Sequence, residues 1–442
     1  MTKDTLNNGF RLPLSRRTFL QGAAATAAIP AIGTLTQGAR ADDAVELTLW
    51  AWTPHTQDVI NRFMQKNPNI KVNYQNVGQG APHYQKLRDA LTAGTGAPDV
   101  AQMEFNSISS FRALKGLADL GPLLPPDVKD RFVDWTWKAV SDGNSVYGVP
   151  WDSGPMGMLY RQDVFDSAGL KAPATWDEFA DQAMTLAQKT PGKFYTNFGA
   201  SDGGWICATL AQKGWRPFKL DGTNLHIAIN DQIAKDWAND VLKRAYAKAV
   251  RTRPLWTADF FTDFDNGTTA SWITAAWGPA LISGSMKNSV GKWRAAGMPQ
   301  WKAGDKVDSN WGGSTMAVMA PSQHQKEAAM LAAYVASDPD EARFWNQTVF
   351  LFPVEKALLS DAALMGTKYD FYGGQPVNQV FAEMASEVDP SFQFAPLQDN
   401  VNSHLQDEFA AALGGNGKIA DAFDRVQDAI VAYAKDQGYT VS

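Results

Sequence analysis

The chain has 442 residues, enough for two or three domains, and its 45% apolar and 19% charged residues are typical of a globular protein with a large core. Residues 1–41 hold five basic side chains and one acidic one, so the rest of the chain has 35 basic and 45 acidic residues, a net charge of −10. This acidic balance argues against nucleic-acid binding, which needs clustered Lys and Arg, and against docking on anionic lipid.

The first forty residues have the features of an export signal. Residues 15–20 read Ser-Arg-Arg-Thr-Phe-Leu, which resembles the twin-arginine export motif, and a weakly apolar, Ala-rich stretch follows to about residue 35. The segment 39–41 (Ala-Arg-Ala) fits the small-x-small cleavage pattern. No cysteine stands at the cleavage point, so we expect a soluble periplasmic protein without a lipid anchor. The apolar stretch is too interrupted for a membrane span.

The next hundred residues predict an α/β fold. Residues 45–49 and 70–74 alternate apolar and polar as strands do, and the segment 56–67 between them places apolar residues on one helical face. Thr56 is a candidate cap for that helix. Another helix follows from about residue 84, and residues 98–100 begin a third short strand. Repeated units of this kind give an open sheet that binds ligands at the carboxyl ends of its strands.

Later segments continue the mixed pattern. Helices are predicted near 176–189, 231–248, 325–337 and 419–435, and residues 311–319 predict a buried strand entered through a glycine loop. Trp176 follows Thr175 at a helix start, and we expect it to be structural, as we do Trp135 and Trp137.

Several segments resemble the family 1 extracellular solute-binding proteins of ABC importers, the group that contains the maltose-binding protein. The segments are 47–52 with 67–72, 93–100, 147–150 leading to 160–165, 173–179, 277–279 and 312–314. Their order and spacing across about 45–340 carry the resemblance, whereas the tail after 345 matches poorly.

The resemblance implies an α/β protein of two lobes, a hinge and a ligand cleft between the lobes that closes on the ligand. The chain would leave lobe one near 155–159 and return near Asn310. Lobe one is then 42–157 plus 311–360, and lobe two is 158–310 plus 361–442. The partners implied are a small sugar ligand, the permease subunits of an ABC transporter and the twin-arginine export machinery, with the protein itself a monomer.

A cleft for sugar needs aromatic rings beside planar polar groups. A pyranose offers apolar C–H faces for stacking and hydroxyls that carboxylates, amides and guanidinium groups bond, often two at a time. On this chemistry and the family pattern, we expect thirteen ligand-binding residues, most of them on loops at strand ends: Trp52, His55, Glu104, Asn106, Trp151, Asp152, Trp205, Trp256, Trp277, Trp311, Gly312, Gly313 and Tyr372. The glycines would let the backbone approach the ligand closely.

Other chemistry has no support in the sequence. Five scattered histidines lack metal-ligand spacing, and the single cysteine, Cys207, can form neither an intramolecular disulfide nor, alone, a metal site. We expect Cys207 to be a small buried apolar residue. No phosphate loop and no nucleophile elbow occur, so no cofactor, metal or catalytic residue is predicted.

Three functions are therefore considered. The first is capture of a sugar or oligosaccharide for an ABC importer. The second keeps the fold but binds a polyamine, a betaine or another small non-sugar solute in an aromatic cage. The third is a secreted glycosidase. The two catalytic carboxylates of such an enzyme have a fixed spacing in space but not in sequence, so the absence of a motif does not exclude it.

Overall fold

The computed structural model describes residues 44–221, 224–245, 249–389, 391–392, 394–413 and 418–442. One compact unit spans Ala44–Ser442. The twin-arginine motif, the Ala-rich stretch and the expected cleavage point at 39–41 lie outside the described residues.

Strands and helices alternate through most of this unit. The strands are β1 (Val45–Trp50), β2 (Ile70–Gln75), β3 (Val100–Glu104), β4 (Ser141–Asp142), β5 (Ser145–Val146), β6 (Val149–Pro150), β7 (Asp152–Ser153), β8 (Met156–Arg161), β9 (Phe194–Asn197), β10 (Phe218–Asp221), β11 (Asn224–Ile227), β12 (Val250–Arg251), β13 (Thr269–Ala275), β14 (Trp293–Gly297), β15 (Ser314–Val318), β16 (Phe352–Pro353) and β17 (Thr440–Val441).

The α-helices are α1 (Thr56–Lys66), α2 (Ala81–Ala93), α3 (Phe105–Ala113), α4 (Val128–Arg131), α5 (Asp134–Val140), α6 (Gln162–Ala168), α7 (Trp176–Lys189), α8 (Gly203–Gln212), α9 (Gln232–Ala245), α10 (Ala258–Asp265), α11 (Gly278–Ser285), α12 (Gln325–Ser337), α13 (Pro339–Val349), α14 (Lys356–Leu359), α15 (Ala362–Met365), α16 (Val377–Glu387), α17 (Gln398–Leu413) and α18 (Ile419–Asp436). A 3₁₀ helix covers Asp370–Tyr372.

Two five-stranded sheets organise the molecule. The first has the order β2-β1-β3-β15-β6, with β1 parallel to β2 and β3, and with β15 antiparallel to β3. The second has the order β12-β9-β13-β8-β14, with β13 parallel to β9 and antiparallel to β8. We call the first sheet with its helices the first lobe, and the second sheet with its helices the second lobe.

Each sheet has its own hydrophobic core. Leu47, Leu49 and Val100 pack in the first core, because the inward residues of the alternating strands are apolar. The second core is larger and includes Trp272 of β13 and Trp237 of α9. The C-terminal helices α17 and α18 contribute to this second core and pack on α8 and α9.

Three extended segments connect the lobes. β7 leads from the first sheet to β8 of the second, and the chain returns through residues 308–314, where Pro155 and Asn310 form an isolated bridge. β16 pairs antiparallel with β7 and supplies the third segment.

The predicted elements compare closely with the observed ones. The helices expected at 176–189 and 325–337 have those bounds, and β1 and β2 extend one residue beyond their predicted ends. The third strand starts at Val100 and not at residue 98. Thr175 caps α7 by accepting a hydrogen bond from the Glu178 amide at 3.1 Å.

The expected capping role of Thr56 is wrong. The N-cap position of α1 is His55, whose φ of 65° is left-handed, and its side chain makes no capping bond. The Thr56 hydroxyl instead donates to the Thr53 carbonyl at 2.6 Å. The tight loop before the helix thus uses the hydroxyl for its own turn.

Within the described residues, none of the helices combines the length and the apolar character needed to cross a membrane.

Candidate functional site

A cavity of about 1960 Å³ lies between the lobes. Its walls come from loops at the ends of β1 and β3 in the first lobe, from α8, α11 and residues 254–256 in the second, and from the connecting residues 310–314. The volume exceeds the ~300–1,000 Å³ of ordinary small-molecule pockets. Such a cleft has room for more than one sugar ring.

Three indoles lie together on the cavity wall. The rings of Trp277 and Trp311 meet edge to face with centroids 4.6 Å apart, and Trp256 lies 5.8 Å from Trp277 and 6.2 Å from Trp311. The Trp277 indole N–H donates to the Trp311 carbonyl at 2.9 Å. Because Trp277 ends the turn between β13 and α11, its ring is held at a strand end, as the Gly-Pro that follows it predicts.

Trp256 has an unusual backbone conformation. Its φ is 69°, a left-handed value that is costly for a bulky residue, and its side chain remains 44% exposed. Strained residues of this kind occur at ligand sites, where the surrounding structure holds them in place. The exposed indole therefore stands over the cavity at a local conformational cost.

The glycine segment on the return crossing is required by packing. Gly312 and Gly313 have φ of 76° and 90°, and a Cβ on Gly313 would lie 2.8 Å from the Asp152 carbonyl oxygen. A Cβ on Gly154 would lie 2.0 Å from the Trp311 carbonyl. Two connecting segments thus run in direct backbone contact along the floor of the cavity.

Two carboxyl groups lie beside this floor, and burial raises the pKa of both. The Asp152 carboxylate accepts a hydrogen bond from the Ser314 amide at 2.8 Å, and burial raises its pKa to about 7. Glu104 accepts from the Tyr84 hydroxyl at 3.1 Å. Burial, together with the nearby charges of Asp202 and Asp152, raises the pKa of Glu104 to about 7.

The first-lobe wall places Trp52 and Asn106 on the cavity. The Trp52 amide donates to the Gln102 side chain at 3.1 Å, and the buried His83 ring packs edge-on against the Trp52 indole at 5.0 Å. Burial lowers the pKa of His83 to about 4, so the imidazole ring that packs against Trp52 is uncharged at neutral pH. Asn106 lies in the first turn of α3.

Nine of the thirteen expected residues line this cavity. They are Trp52, Glu104, Asn106, Asp152, Trp256, Trp277, Trp311, Gly312 and Gly313. They come from six separate stretches of the chain, which the two sheets and the connecting segments bring together.

Trp151 and Trp205 are not among the residues that line it. Trp151 is buried in the first core against Trp345, at a centroid distance of 5.0 Å. Trp205 is buried in the second core, and its indole N–H donates to the Ile273 carbonyl at 2.9 Å. Alternation explains the first case, because Asp152 points to the cavity and its neighbour Trp151 points to the opposite face.

His55 and Tyr372 are also outside the lining residues. The His55 ring is exposed and lies 3.0 Å from the Asp58 carboxylate. The Tyr372 side chain is fully buried, and its hydroxyl donates to the Pro279 carbonyl at 2.8 Å behind α11.

The sequence interpretation missed a wall formed by the C-terminal segment. Gln398, Asn402 and Gln406 of α17 line the cavity, as do Phe392 and Phe394 before the helix. The four-residue spacing of the three amides was visible in the sequence, but the weak resemblance after 345 gave no reason to place them at the cleft.

Cys207 lies on the same side of the cavity. It is half-buried, and its sulfur accepts a hydrogen bond from the Gln398 amide at 3.3 Å. Burial raises the pKa of the thiol to about 12, so it is protonated at neutral pH. Cys207, expected as a small buried apolar residue, packs at the edge of the second core. Among the described residues, His, Cys, Asp and Glu side chains form no group of three that could hold a metal ion.

Relatives of the chain include sugar-binding proteins. It is 27% identical over 398 residues to the lactose-binding protein of Rhizobium radiobacter, covering 84% of this chain and 89% of that one. It is also 27% identical over 385 residues to the arabinooligosaccharide-binding protein of Bacillus subtilis, covering 81% and 86%.

Solved structures share the two-lobed fold. The ABC transporter associated binding protein of B. animalis subsp. lactis, in complex with beta-1,6-galactobiose, aligns with a TM-score of 0.78 and 27% identity over 90% of this chain and 99% of that one. The galacto-N-biose-/lacto-N-biose I-binding protein of Bifidobacterium longum aligns with a TM-score of 0.79 at 24% identity, over 90% and 99% of the chains. The predicted two-lobed α/β fold is confirmed.

Family descriptions match two parts of the chain. Residues 13–33 match the twin-arginine translocation pathway signal sequence, which marks the protein for export as predicted. Residues 52–342 match the bacterial extracellular solute-binding proteins, whose members and relatives are binding proteins. The chain belongs to the bacterial extracellular solute-binding protein family.

Proposed function

We propose that this protein captures a sugar or short oligosaccharide in the interlobe cavity and delivers it to the permease of an ABC import system. The observation that carries the proposal is the pairing of three indoles, Trp256, Trp277 and Trp311, with the carboxyl groups of Glu104 and Asp152 on one cavity. Indole faces suit the C–H faces of a pyranose, and the carboxylates accept hydrogen bonds from its hydroxyls.

The nine cavity-lining residues among the thirteen expected are the proposed ligand-binding residues. Trp277 would stack on a sugar ring, and Asp152 and Glu104 would accept from hydroxyls. Trp52 and Asn106 would bind from the first lobe, so that the ligand touches both lobes and favours their closure.

A polyamine or a betaine is the alternative ligand. An aromatic cage for a cation needs several ring faces directed at one point with few polar partners. Here the indoles meet one another edge to face or tilted, and amide and carboxyl groups share the cavity. The sugar-binding relatives also favour a saccharide.

The remaining assignments follow from this role. We place the lobes at 42–157 plus 311–360 and 158–310 plus 361–442, joined by the three connecting segments. Met156 and Phe352 of those segments pack in the second core. The exported protein would act in the periplasm as a monomer without a lipid anchor, and it would release its sugar unchanged, as a binding protein and not a glycosidase does.

A thermal-shift screen followed by calorimetry tests the proposal. The probes are lactose, beta-1,6-galactobiose, an arabinooligosaccharide, spermidine and glycine betaine. A ligand at 100 times its Kd stabilises the fold by about 2.7 kcal/mol.

Trp277→Ala should reduce the response to the binding sugar, whereas Trp301→Ala, at an indole outside the cavity, should not. Stabilisation by spermidine or betaine alone would overturn the sugar assignment, and release of reducing sugar from the bound probe would overturn the binding-protein role.

A further inference from the structure

We infer that α17 forms a specificity-determining wall, whose amide side chains bind the part of a disaccharide or longer glycoside beyond the ring held at Trp277. The inference rests on the proposed function and deepens it by naming residues that select for ligand length.

The helix is fixed against the second lobe. At Gly203, in the first turn of α8, a Cβ would lie 1.9 Å from the Asn402 carbonyl oxygen, so the backbones of the two helices touch. Val401, Leu405 and Phe409 of α17 are buried in the second core. The wall is therefore part of a packed element and not a loose tail.

The same helix is bonded to the first lobe. The Asp399 carboxylate accepts hydrogen bonds from the Arg88 guanidinium of α2 and from the Ser110 hydroxyl of α3, each at 2.7 Å. Because α17 contacts both lobes, its cavity-facing side chains keep a defined position relative to both walls of the cleft.

Amide groups occupy one stripe of α17. Gln398, Asn402 and Gln406 are spaced by four residues, which places them one above the other along a helix. Each amide both donates and accepts hydrogen bonds, as sugar hydroxyls do. The Gln398 amide already donates to the Asn402 side chain at 2.8 Å, whereas Gln406 is exposed on the cavity wall. The stripe thus extends a polar surface away from the indoles.

The stripe adjoins the aromatic part of the site. Gly203 touches Asn402, and a Cβ on its neighbour Gly204 would lie 3.2 Å from the Trp311 indole nitrogen. Only the first turn of α8 separates Trp311 from α17. Gln406 lies four residues beyond Asn402, about 6 Å farther along the axis. A disaccharide with one ring at the indoles would extend its second ring toward Gln406.

The experiment compares Gln406→Ala with Asp407→Ala. Gln406 is exposed on the cavity wall, and Asp407 is the exposed next residue of the same helix, outside the lining residues. Calorimetry gives Kd for lactose, for beta-1,6-galactobiose and for galactose, the monosaccharide that both contain. A melting curve for each variant checks that the fold is intact.

Gln406→Ala should weaken binding of at least one disaccharide about 2- to 10-fold, the usual loss for one hydrogen bond, and should leave galactose within about two-fold. Asp407→Ala should change none of the three. An equal loss for galactose and the disaccharides, or no loss at all, would overturn the inference while wild-type binding still supported the proposed function. If wild-type protein binds none of the three sugars, the inference is overturned as well, whereas the proposed function is then decided by the other probes of the thermal-shift screen.

Discussion

Arg88 of the first lobe and Asp399 of the C-terminal helix α17 form an ion pair across the cleft, with 2.7 Å between the guanidinium nitrogen and the carboxylate oxygen. Asp399 also accepts from Ser110, and Arg88 lies over the Phe111 ring at 4.9 Å. The pair joins α2 to α17, beside the ring contacts of Phe105 with Phe394 and of Trp135 with Phe392. A rotation of the lobes that moved α2 from α17 would have to break it.

Removing this pair should loosen the interlobe geometry. Asp399→Asn and Arg88→Ala should each increase the radius of gyration of the sugar-free protein in solution scattering. Partly exposed ion pairs contribute about 0.2–1 kcal/mol, so the sugar Kd should rise by no more than about five-fold. The double variant should resemble either single one. Two variants with additive effects would show that the residues act separately.

Trp277→Ala should weaken sugar binding by about 1–3 kcal/mol, by analogy with base–aromatic stacking, or about 5- to 150-fold in Kd. The half-buried indole also donates to the Trp311 carbonyl, so the free energy of unfolding should fall by about 1 kcal/mol as well. Trp277→Phe keeps a ring but not the N–H, and it should retain more affinity than the alanine variant. Calorimetry and melting curves separate the two effects. Normal affinity in Trp277→Ala would make the residue structural.

Local patterns predicted the elements well, and the contrast between Trp151 and Trp277 shows what such patterns leave open. Helix bounds followed from apolar periodicity, and a Gly-Pro after Trp277 identified a strand end. Nothing in the sequence said which of two adjacent residues, Trp151 or Asp152, would face the cleft, because that depends on the strand's orientation relative to two cores. The α17 wall depends on contacts between residues about 200 to 300 positions apart, such as Asn402 with Gly203 and Asp399 with Arg88, which periodicity does not encode.

Trp151→Ala should behave in the opposite way to Trp277→Ala. Trp151 packs on Trp345 in the first core, so its truncation should lower the free energy of unfolding by about 3–5 kcal/mol. At low temperature the folded fraction should bind sugar with nearly wild-type Kd. Denaturant melts with calorimetry on the same preparation measure both quantities. If the Trp151→Ala protein were as stable as the wild type but did not bind sugar, Trp151 would be a ligand-binding residue.

Export should depend on the paired arginines. Replacing Arg16 and Arg17 with Lys should leave the precursor in the cytoplasm, since the twin-arginine pathway reads that pair. The mature N-terminus of the wild-type protein, measured by mass spectrometry, should be Asp42. Arg11→Lys, which changes a basic residue before the motif, is the control and should be exported. Normal export of the double variant would remove the twin-arginine assignment.

Sugar affinity should increase between pH 6 and pH 8. Glu104 and Asp152 have pKa values of about 7 because burial disfavours their charged forms, and sugar hydroxyls donate to the ionised carboxylate. Below pH 7 most of each carboxyl group is protonated, and only the ionised fraction binds the sugar hydroxyl. The apparent affinity falls in proportion to that fraction. The expected change is about ten-fold per carboxylate, with proton release detectable as a buffer-dependent binding enthalpy.

The free energy of unfolding of the sugar-free protein should decrease as the pH rises from 6 to 8. Both pKa values are raised above the ordinary 4.5 of Glu and 3.8 of Asp, so the folded state binds more protons than the unfolded state between about pH 4 and 7. The contribution of these groups to stability is therefore fully present at about pH 4 and is lost as the pH rises through 7. Glu104→Gln is neutral at every pH and should remove the Glu104 share of both trends while Asp152 keeps its own, whereas Asp407→Asn, at an exposed carboxylate outside the cavity, should leave both trends intact. Wild-type affinity that stayed constant from pH 6 to pH 8 would show that the sugar does not bind the ionised carboxylates.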